Sequence, residues 1–357
     1  MTTALIGCGR IGFQLEEDPL RYKPCTHYGG ATAAGMAITH ACDIDRDRLK
    51  RFGETAGIPP ENRYADYRGL LADARPDAVI IASWTETHAP IAIEAARRGA
   101  KVIVLEKPMA ASLRDCRAII DECAVRGAVL VISHERRYDS RYRKVKDMIA
   151  RGAVGEVRTV HASMLTGGHR GRSLAEQGGG PLLHDGTHLV DMIRYFFGDI
   201  ATVQGEFRRD GRRSGFEDRA CAWLTTAGGV DVFLEAGGPR EYFQFELEIS
   251  GSRGKIVIGN GYEKLFTARA SRFYTGFRDL EEAPFPSFKR NNCFRELYGE
   301  ARKALAGKAS PVSSGNDGYR ALEAIHAIYL SSHLKRKRLS LPIAPGAINL
   351  KKIFSLR

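Results

Sequence analysis

The feature that most constrains this chain lies in its first dozen residues. Thr3-Ala4-Leu5-Ile6 is a short apolar run, followed at once by Gly7-Cys8-Gly9-Arg10-Ile11-Gly12. G-x-G-x-x-G directly after a strand is the fingerprint of a dinucleotide-binding βαβ unit. Gly7 permits the tight turn, Gly9 lets backbone approach a pyrophosphate, and Gly12 lets the following helix pack close to the strand. The N-terminus of that helix offers N–H groups to phosphate. Arg10 and Ile11 lie inside the motif and join the three glycines as candidate cofactor contacts.

Such a unit calls for an acidic residue at the end of its second strand, about 20 residues on. Ala37–Cys42 reads as that strand and Asp43 ends it, 31 positions after Gly12. The excess is traced to Glu16–Cys25, a polar stretch with two prolines that cannot be helix interior and is read as an insertion. An aspartate here binds ribose hydroxyls and repels a 2′-phosphate, which favours NAD over NADP. The nearby Arg46 leaves NADP open, and Asp45 is expected to cap the next helix.

Buried strands recur in the same half. Asp77–Ala82 leads into Ser83-Trp84-Thr85-Glu86-Thr87-His88, and a helix is expected over Ala89–Arg98. Lys101–Leu105 is a strand that runs into Glu106-Lys107-Pro108. A helix capped by Ser112 extends to Arg126, and Ala128–Ile132 is the last strand before a domain boundary at about residue 133. Strands alternating with helices mean a parallel sheet. In such a sheet, ligands sit at the carboxyl ends of the strands. Ser83, Thr85, His88, Glu106 and Lys107 are therefore candidates for cofactor contact. Lys107, held extended by Pro108, can also stabilise charge developing on a substrate oxygen.

Beyond residue 133 the pattern changes. Asp139–Ala150 reads as a helix. Val157–Met164, Ala201–Arg208, Arg219–Thr225, Val230–Glu235, Phe243–Ser250 and Lys255–Ile258 alternate, as antiparallel strands with one covered face do. A glycine-rich loop over Thr166–Gly180 carries His169, Arg170 and Arg172. A helix then runs from Leu182 to Phe197, with His184, His188 and Asp191 on one stripe. Leu189, Ile193 and Phe196 form a neighbouring apolar stripe. A histidine at the edge of a buried surface can serve as a general base. H-x-x-x-H on a helix can also bind zinc, but the segment lacks the glutamate of metalloproteases, and no metal is expected.

The net charge of +12 admits anionic partners. Its densest cluster, Lys335-Arg336-Lys337-Arg338, follows an apolar helical run, where cations suit the helix dipole. Without interleaved aromatics or a nucleic-acid motif, it does not point to nucleic acid. The seven cysteines are scattered and odd in number, which argues for reduced thiols. No apolar run approaches the roughly 20 residues of a membrane span. With no charged leader before the first strand, a cytoplasmic protein is expected.

The glycine motif, Glu106-Lys107-Pro108 and Gly178–Asp191 occur in an order and spacing that resembles the Gfo/Idh/MocA oxidoreductases, which include glucose–fructose oxidoreductase and inositol dehydrogenase. Thr85–His88, and Arg137-Tyr138 followed by Ile149–Val157, extend the resemblance over most of residues 1–200. It implies an α/β chain: a Rossmann domain at 1–133, then an α/β domain at 134–357 with an open, mostly antiparallel sheet. It also implies hydride transfer between NAD and a sugar or polyol carbon. Lys107 matches the family's lysine at the reacting hydroxyl, and His188 matches its catalytic histidine. Family members commonly carry aspartate four residues before that histidine. This chain has His184 there and Asp185 one place later, so both join the catalytic candidates. His169 and Arg172 are candidates for the substrate, a sugar or polyol that could be anionic. A homodimer or homotetramer is expected from related proteins. Two other readings stay open: a sugar lyase or glycosidase that oxidises only transiently, and a nucleotide-sensing regulator.

Overall fold

The computed structural model describes residues 1–166, 180–209, 216–238, 240–308 and 310–355. The chain forms two compact units: Met1–Asp139 with Asn291–Tyr319, and Ser140–Arg290 with Arg320–Arg357. The expected boundary at 133 therefore moves, and the first unit recovers a segment from far downstream. The cause is burial. The helix Cys293–Leu305 buries Phe294, Leu297, Tyr298 and Ala301 in the same core as Leu5, Phe13, Met36 and Val104. Against it lies the helix His27–Ala33. The two approach so closely at Gly30 that a Cβ there would lie 2.8 Å from Phe294 Cβ.

The first unit holds six parallel strands: β1 (Thr3–Ile6), β2 (His40–Cys42), β3 (Arg63–Tyr64), β4 (Ala78–Ile81), β5 (Val102–Leu105) and β6 (Val129–Ile132). Their order is β3-β2-β1-β4-β5-β6. Chain direction across the sheet switches between β1 and β4, which opens the ligand crevice of a doubly wound fold at the end of β1. Strands β1, β4 and β5 are buried along their whole length, which is why they read as unbroken apolar runs. The helix after β4 is Thr85–Arg97, four residues longer at its start than expected. Pro90 removes one amide donor from it without ending it.

The glycine motif does not lead straight into a full helix. A turn over Arg10–Phe13 passes into a 3-10 helix, Gln14–Glu17, and the α-helix starts at His27. The helix resumes where it was interrupted, since His27 N–H donates to Ile11 O and Tyr28 N–H to Gly12 O. The expected insertion is thus a loop excised from the first helix. One carboxylate ties its neck: Glu16 Oε2 accepts from Cys25 N at 3.0 Å and from Thr26 Oγ1 at 2.7 Å.

The second unit is a mixed nine-stranded sheet. Its strands are β7 (Val157–Leu165), β8 (Ile200–Arg208), β9 (Arg219–Thr226), β10 (Asp231–Gly237), β11 (Gln244–Gly251), β12 (Gly254–Gly259), β13 (Tyr262–Ala270), β14 (Arg278–Ala283) and β15 (Leu339–Ser340). The order is β14-β13-β12-β11-β7-β10-β9-β8-β15, and only the β7–β10 pair is parallel. Six strands fall within two residues of their expected positions. β13 and β14 escape sequence reading because they form an edge in which Leu265 alone is buried, so no apolar alternation marks them. One face of the sheet buries Val160, Leu224, Leu234, Phe245 and Leu247. Tyr142, of the helix Ser140–Ala150, packs there against Phe245 and Phe196. The other face exposes Trp223, Phe233 and His161. Among the described residues no helix is long and apolar enough to cross a membrane.

Candidate active site

The glycine loop is shaped by clashes that side chains would create. Gly7 has φ +99°, and a Cβ on it would lie 2.5 Å from Ala82 O; one on Gly12 would lie 2.1 Å from Gly7 O. At Gly9 a Cβ would meet only Arg48 Nη1, at 3.6 Å. Gly7 and Gly12 are thus fixed by packing inside the loop, whereas Gly9 leaves a bare stretch of backbone, as close approach of a pyrophosphate requires. This arrangement fits NAD.

Asp43 ends β2 as expected and is buried. Its Oδ2 accepts from Cys8 N at 2.8 Å and its Oδ1 from Asp45 N at 2.9 Å. The carboxylate therefore fixes the glycine loop against the end of β2. Each oxygen keeps a second lone pair, which suits a ribose hydroxyl. Asp45 caps the next helix, accepting from Asp47 N and Arg48 N. Arg46 is exposed. The guanidinium that reaches the glycine loop is Arg48's, which sequence reading missed, and Asp45 Oδ2 holds its Nε at 2.8 Å.

The carboxyl ends of β4 and β5 place their polar residues differently from expectation. His88 is buried between two backbone carbonyls, with Pro108 O 3.0 Å from Nδ1 and Ser83 O 3.1 Å from Nε2. Burial pushes its pKa down, against the pull of those carbonyls. It bridges the ends of the two strands. Thr85 is buried in the first turn of its helix, and Ser83 Oγ lies 2.7 Å from Thr87 Oγ1. Glu106 points inward as well. Its Oε1 lies 2.9 Å from His27 Nε2, and its Oε2 accepts from Lys107 N at 3.1 Å. Burial alone would raise the Glu106 pKa. The hydrogen bond from His27, followed by the positive charge of Lys107, outweighs it and holds the carboxyl well below its ordinary value. Of the strand-end candidates, His88, Thr85 and Glu106 are thus buried in the protein, whereas Lys107 is only half-buried.

In the second unit the histidine helix comes in two pieces, Pro181–His184 and Gly186–Phe197, joined at Asp185. Asp185 keeps helical backbone angles, φ −97° and ψ −33°, so the two pieces follow one another with little change of phase. His188 and Asp191 are buried, as are Leu189, Val190, Met192 and Ile193. His184 is half-exposed, with Nδ1 3.0 Å from Asp185 Oδ1. The two residues at the departure from the family pattern therefore bond to each other. His169 and Arg172 lie outside the described residues.

Glu217 is the second residue that sequence reading missed. It is fully buried, and its Oε1 accepts from Leu182 N at 2.9 Å and from the Tyr329 hydroxyl at 2.9 Å. It caps the first piece of the histidine helix from outside. A Cβ on Gly180 would lie 2.2 Å from its Oε2, so Gly180 is required for the approach. Burial drives its pKa up to about 7, against the hydrogen bonds it accepts. No motif marks it; it stands beside Asp218 after an arginine-rich stretch. Among the described residues no group of three His, Cys, Asp or Glu side chains could hold a metal ion.

Comparison with known proteins agrees with this geometry. The model of the GFO/IDH/MocA oxidoreductase family, NAD-binding Rossmann fold, matches residues 1–134, and the GFO/IDH/MocA C-terminal domain model matches 142–257. A myo-inositol 2-dehydrogenase from Thermotoga maritima is 26% identical over 343 residues, 94% of this chain and 97% of that protein. A D-apiose dehydrogenase from Rhizobium rhizogenes is 27% identical over 267 residues, 72% of this chain and 73% of that protein. Among solved structures, levoglucosan dehydrogenase in complex with NADH superposes with a TM-score of 0.77 at 22% identity, covering 96% of this chain and 99% of that one. The WlbA dehydrogenase from Bordetella pertussis, in complex with NADH and UDP-GlcNAcA, gives 0.77 at 21% identity, over 96% and 98%.

Proposed function

This chain belongs to the Gfo/Idh/MocA oxidoreductase family, and on that premise we propose that it is a dehydrogenase of a sugar or polyol hydroxyl, with bound NAD as the hydride acceptor. The open backbone at Gly9, flanked by the tightly packed Gly7 and Gly12, is the observation that carries the nucleotide half of this reading. Gly7, Gly9, Arg10, Ile11 and Gly12 would hold the pyrophosphate, and Asp43 the ribose. The relatives' names carry the substrate half: inositol and apiose dehydrogenases act on neutral polyols and sugars.

Within this reading Lys107 donates to the reacting hydroxyl and stabilises the charge that develops on its oxygen. His188 accepts the hydroxyl proton as general base. His184 and Asp185, bonded to each other, support it from the preceding turn. The basic net charge of +12 extends the candidates to anionic sugars. The test is NADH formation across neutral sugars, polyols, sugar phosphates and nucleotide sugars. Turnover of at least one class is expected, and no reduction of NAD by any would overturn the reading.

Two further points belong to the proposal. Seven free thiols support a cytoplasmic enzyme. The open face of the large sheet supports a homo-oligomer. There Trp223 and Phe233 stack with ring centroids 5.8 Å apart, His161 stacks on Phe233 at 5.5 Å, and Arg338 covers Trp223 at 5.3 Å. Exposed aromatics on an open sheet face suit burial by a second copy. Sedimentation equilibrium is expected to show a dimer or tetramer, and a monomer at micromolar concentration would contradict it.

A further inference from the structure

We propose that Tyr298, His27 and Glu106 form a buried positioning relay whose work is to fix Lys107 for catalysis. This inference rests on the reading of Lys107 given above and extends it to three residues that touch neither substrate nor cofactor.

The relay lies wholly within the first unit. Tyr298 belongs to the downstream helix that the unit recovers, and its hydroxyl lies 2.5 Å from His27 Nδ1. His27 Nε2 lies 2.9 Å from Glu106 Oε1, and Glu106 Oε2 accepts from Lys107 N at 3.1 Å. All three side chains are buried. Burial drives the Tyr298 pKa well above its ordinary value, so the phenol keeps its proton and can donate it to Nδ1. That leaves the Nε2 proton for the carboxylate, which fixes the tautomer. Both Glu106 oxygens then have donors, and a buried carboxylate with both oxygens bound holds its backbone firmly.

Two features show why the fixed point is Lys107. Glu106 is buried just past the end of β5, and Lys107 follows it in a bend where it is only half-buried. The backbone at the same place is tied to both neighbouring strand ends, by Glu106 N to Ile81 O and by Ser133 N to Leu105 O. With Glu106 anchored at both oxygens, the Cα of Lys107 has little freedom left.

The excised loop serves the same end. His27 is the first residue of the resumed helix, and Thr26 before it is tied down by Glu16. Asn292, the cap of the Tyr298 helix, donates to Pro24 O at 2.8 Å. Loop neck, resumed helix and downstream helix together set the imidazole between phenol and carboxylate. Phe294 and Tyr298 meet the imidazole edge-on, with centroids 5.7 and 5.9 Å away.

The test is a double-mutant cycle on the sugar or polyol that gives most NADH in the panel, with NAD affinity and thermal midpoint measured for every variant. His27→Ala is expected to lower kcat about tenfold or more, the scale of misplacing a catalytic group by a fraction of an ångström. NAD affinity is expected to stay within about twofold, because the change lies outside the nucleotide contacts. Tyr298→Phe should do less, and His27→Gln, which keeps a donor near Nε2, should recover part of the rate. In the Lys107→Ala background, His27→Ala should cost less than about twofold, since a residue that acts only through Lys107 has nothing left to position. Protection of the Lys107 amide against hydrogen exchange should fall in His27→Ala.

Full additivity of His27→Ala and Lys107→Ala would overturn the relay while leaving the role of Lys107 intact. So would a folded His27→Ala or Tyr298→Phe pair with wild-type kcat and unchanged Lys107 protection. If His27→Ala does not fold, the milder Tyr298→Phe and His27→Gln carry the cycle. If Lys107→Ala itself keeps full turnover, or if no compound of the panel reduces NAD, the underlying reading fails and the relay fails with it.

Discussion

The carboxylates at the strand ends of the first unit and the acids around the histidine helix of the second are held in opposite ways. Asp43 and Glu106 each have N–H donors on both oxygens, and Glu106 is held near pKa 2. Glu217 has both its bonds on Oε1, and Oε2 has no partner among the described residues. Its pKa rises to about 7. His184 and Asp185 form a partly exposed pair. A buried glutamate is thus held charged at Glu106 in one unit and pushed towards its neutral form at Glu217 in the other. A nucleotide-binding loop needs a fixed shape, whereas a helix that carries a proton acceptor works close to groups that titrate with it.

The largest effects should fall on the groups placed in the chemistry. His188→Ala is expected to lower kcat by about a hundred- to ten-thousandfold and to remove the titration from the acid limb of kcat/KM. A fully active variant would take the general-base role away from the second unit. Lys107→Ala should lower kcat by about a hundredfold while NAD affinity, read by calorimetry, is largely kept. Loss of affinity in step with turnover would make Lys107 a cofactor contact alone.

The next effect probes the rigid side. Asp43→Ala removes the acceptor of two backbone N–H groups and the proposed ribose contact. It is expected to weaken NAD binding about tenfold or more, the worth of a charge-assisted hydrogen bond. NAD affinity left at the wild-type value in Asp43→Ala would contradict this part of the proposal.

Glu217→Gln probes the titrating side. In the folded protein Glu217 keeps its proton to about pH 7, against 4.5 for the free side chain. Between these values the folded state binds the extra proton, so this group's contribution to stability falls as pH rises through that window. Denaturant unfolding of wild type and Glu217→Gln should differ in pH slope there, and parallel slopes would sink the idea. The smallest effects are expected beside His188. Asp185→Asn should shift the acid limb to slightly lower pH, because a nearby carboxylate raises a histidine pKa. His184→Asn should leave that titration in place.

What the sequence disclosed follows from the same contrast. Gly7, Gly9 and Gly12 were legible because their roles are backbone conformation and clearance, which depend on residue type at fixed spacing. β4 and β5 were legible because strands buried on both faces leave unbroken apolar runs. Glu106 and His88 lie at the strand ends where the sequence placed them, but their burial against His27, Ser83 and Pro108 was not legible, since position in a motif does not tell which partners a side chain meets. Glu217, Tyr298 and Arg48 went unread because their partners are distant in sequence, and no local pattern marks them. The return of residues 291–319 to the first unit was hidden for the same reason: Phe294, Leu297, Tyr298 and Ala301 read as one amphipathic stripe without naming the core they join.

On the proposed reading, hydride leaves a sugar or polyol carbon while Lys107 holds the reacting oxygen. The most direct measurement follows NADH formed and sugar consumed together, for wild type and for Lys107→Ala, under saturating NAD. The wild type is expected to form one NADH per sugar oxidised. Lys107→Ala is expected to lose nearly all of both signals, with NAD affinity unchanged. Sugar consumed without accumulation of NADH would contradict a dehydrogenase and favour transient oxidation with net elimination or glycoside cleavage; equal NADH production by Lys107→Ala would contradict the role given to the lysine.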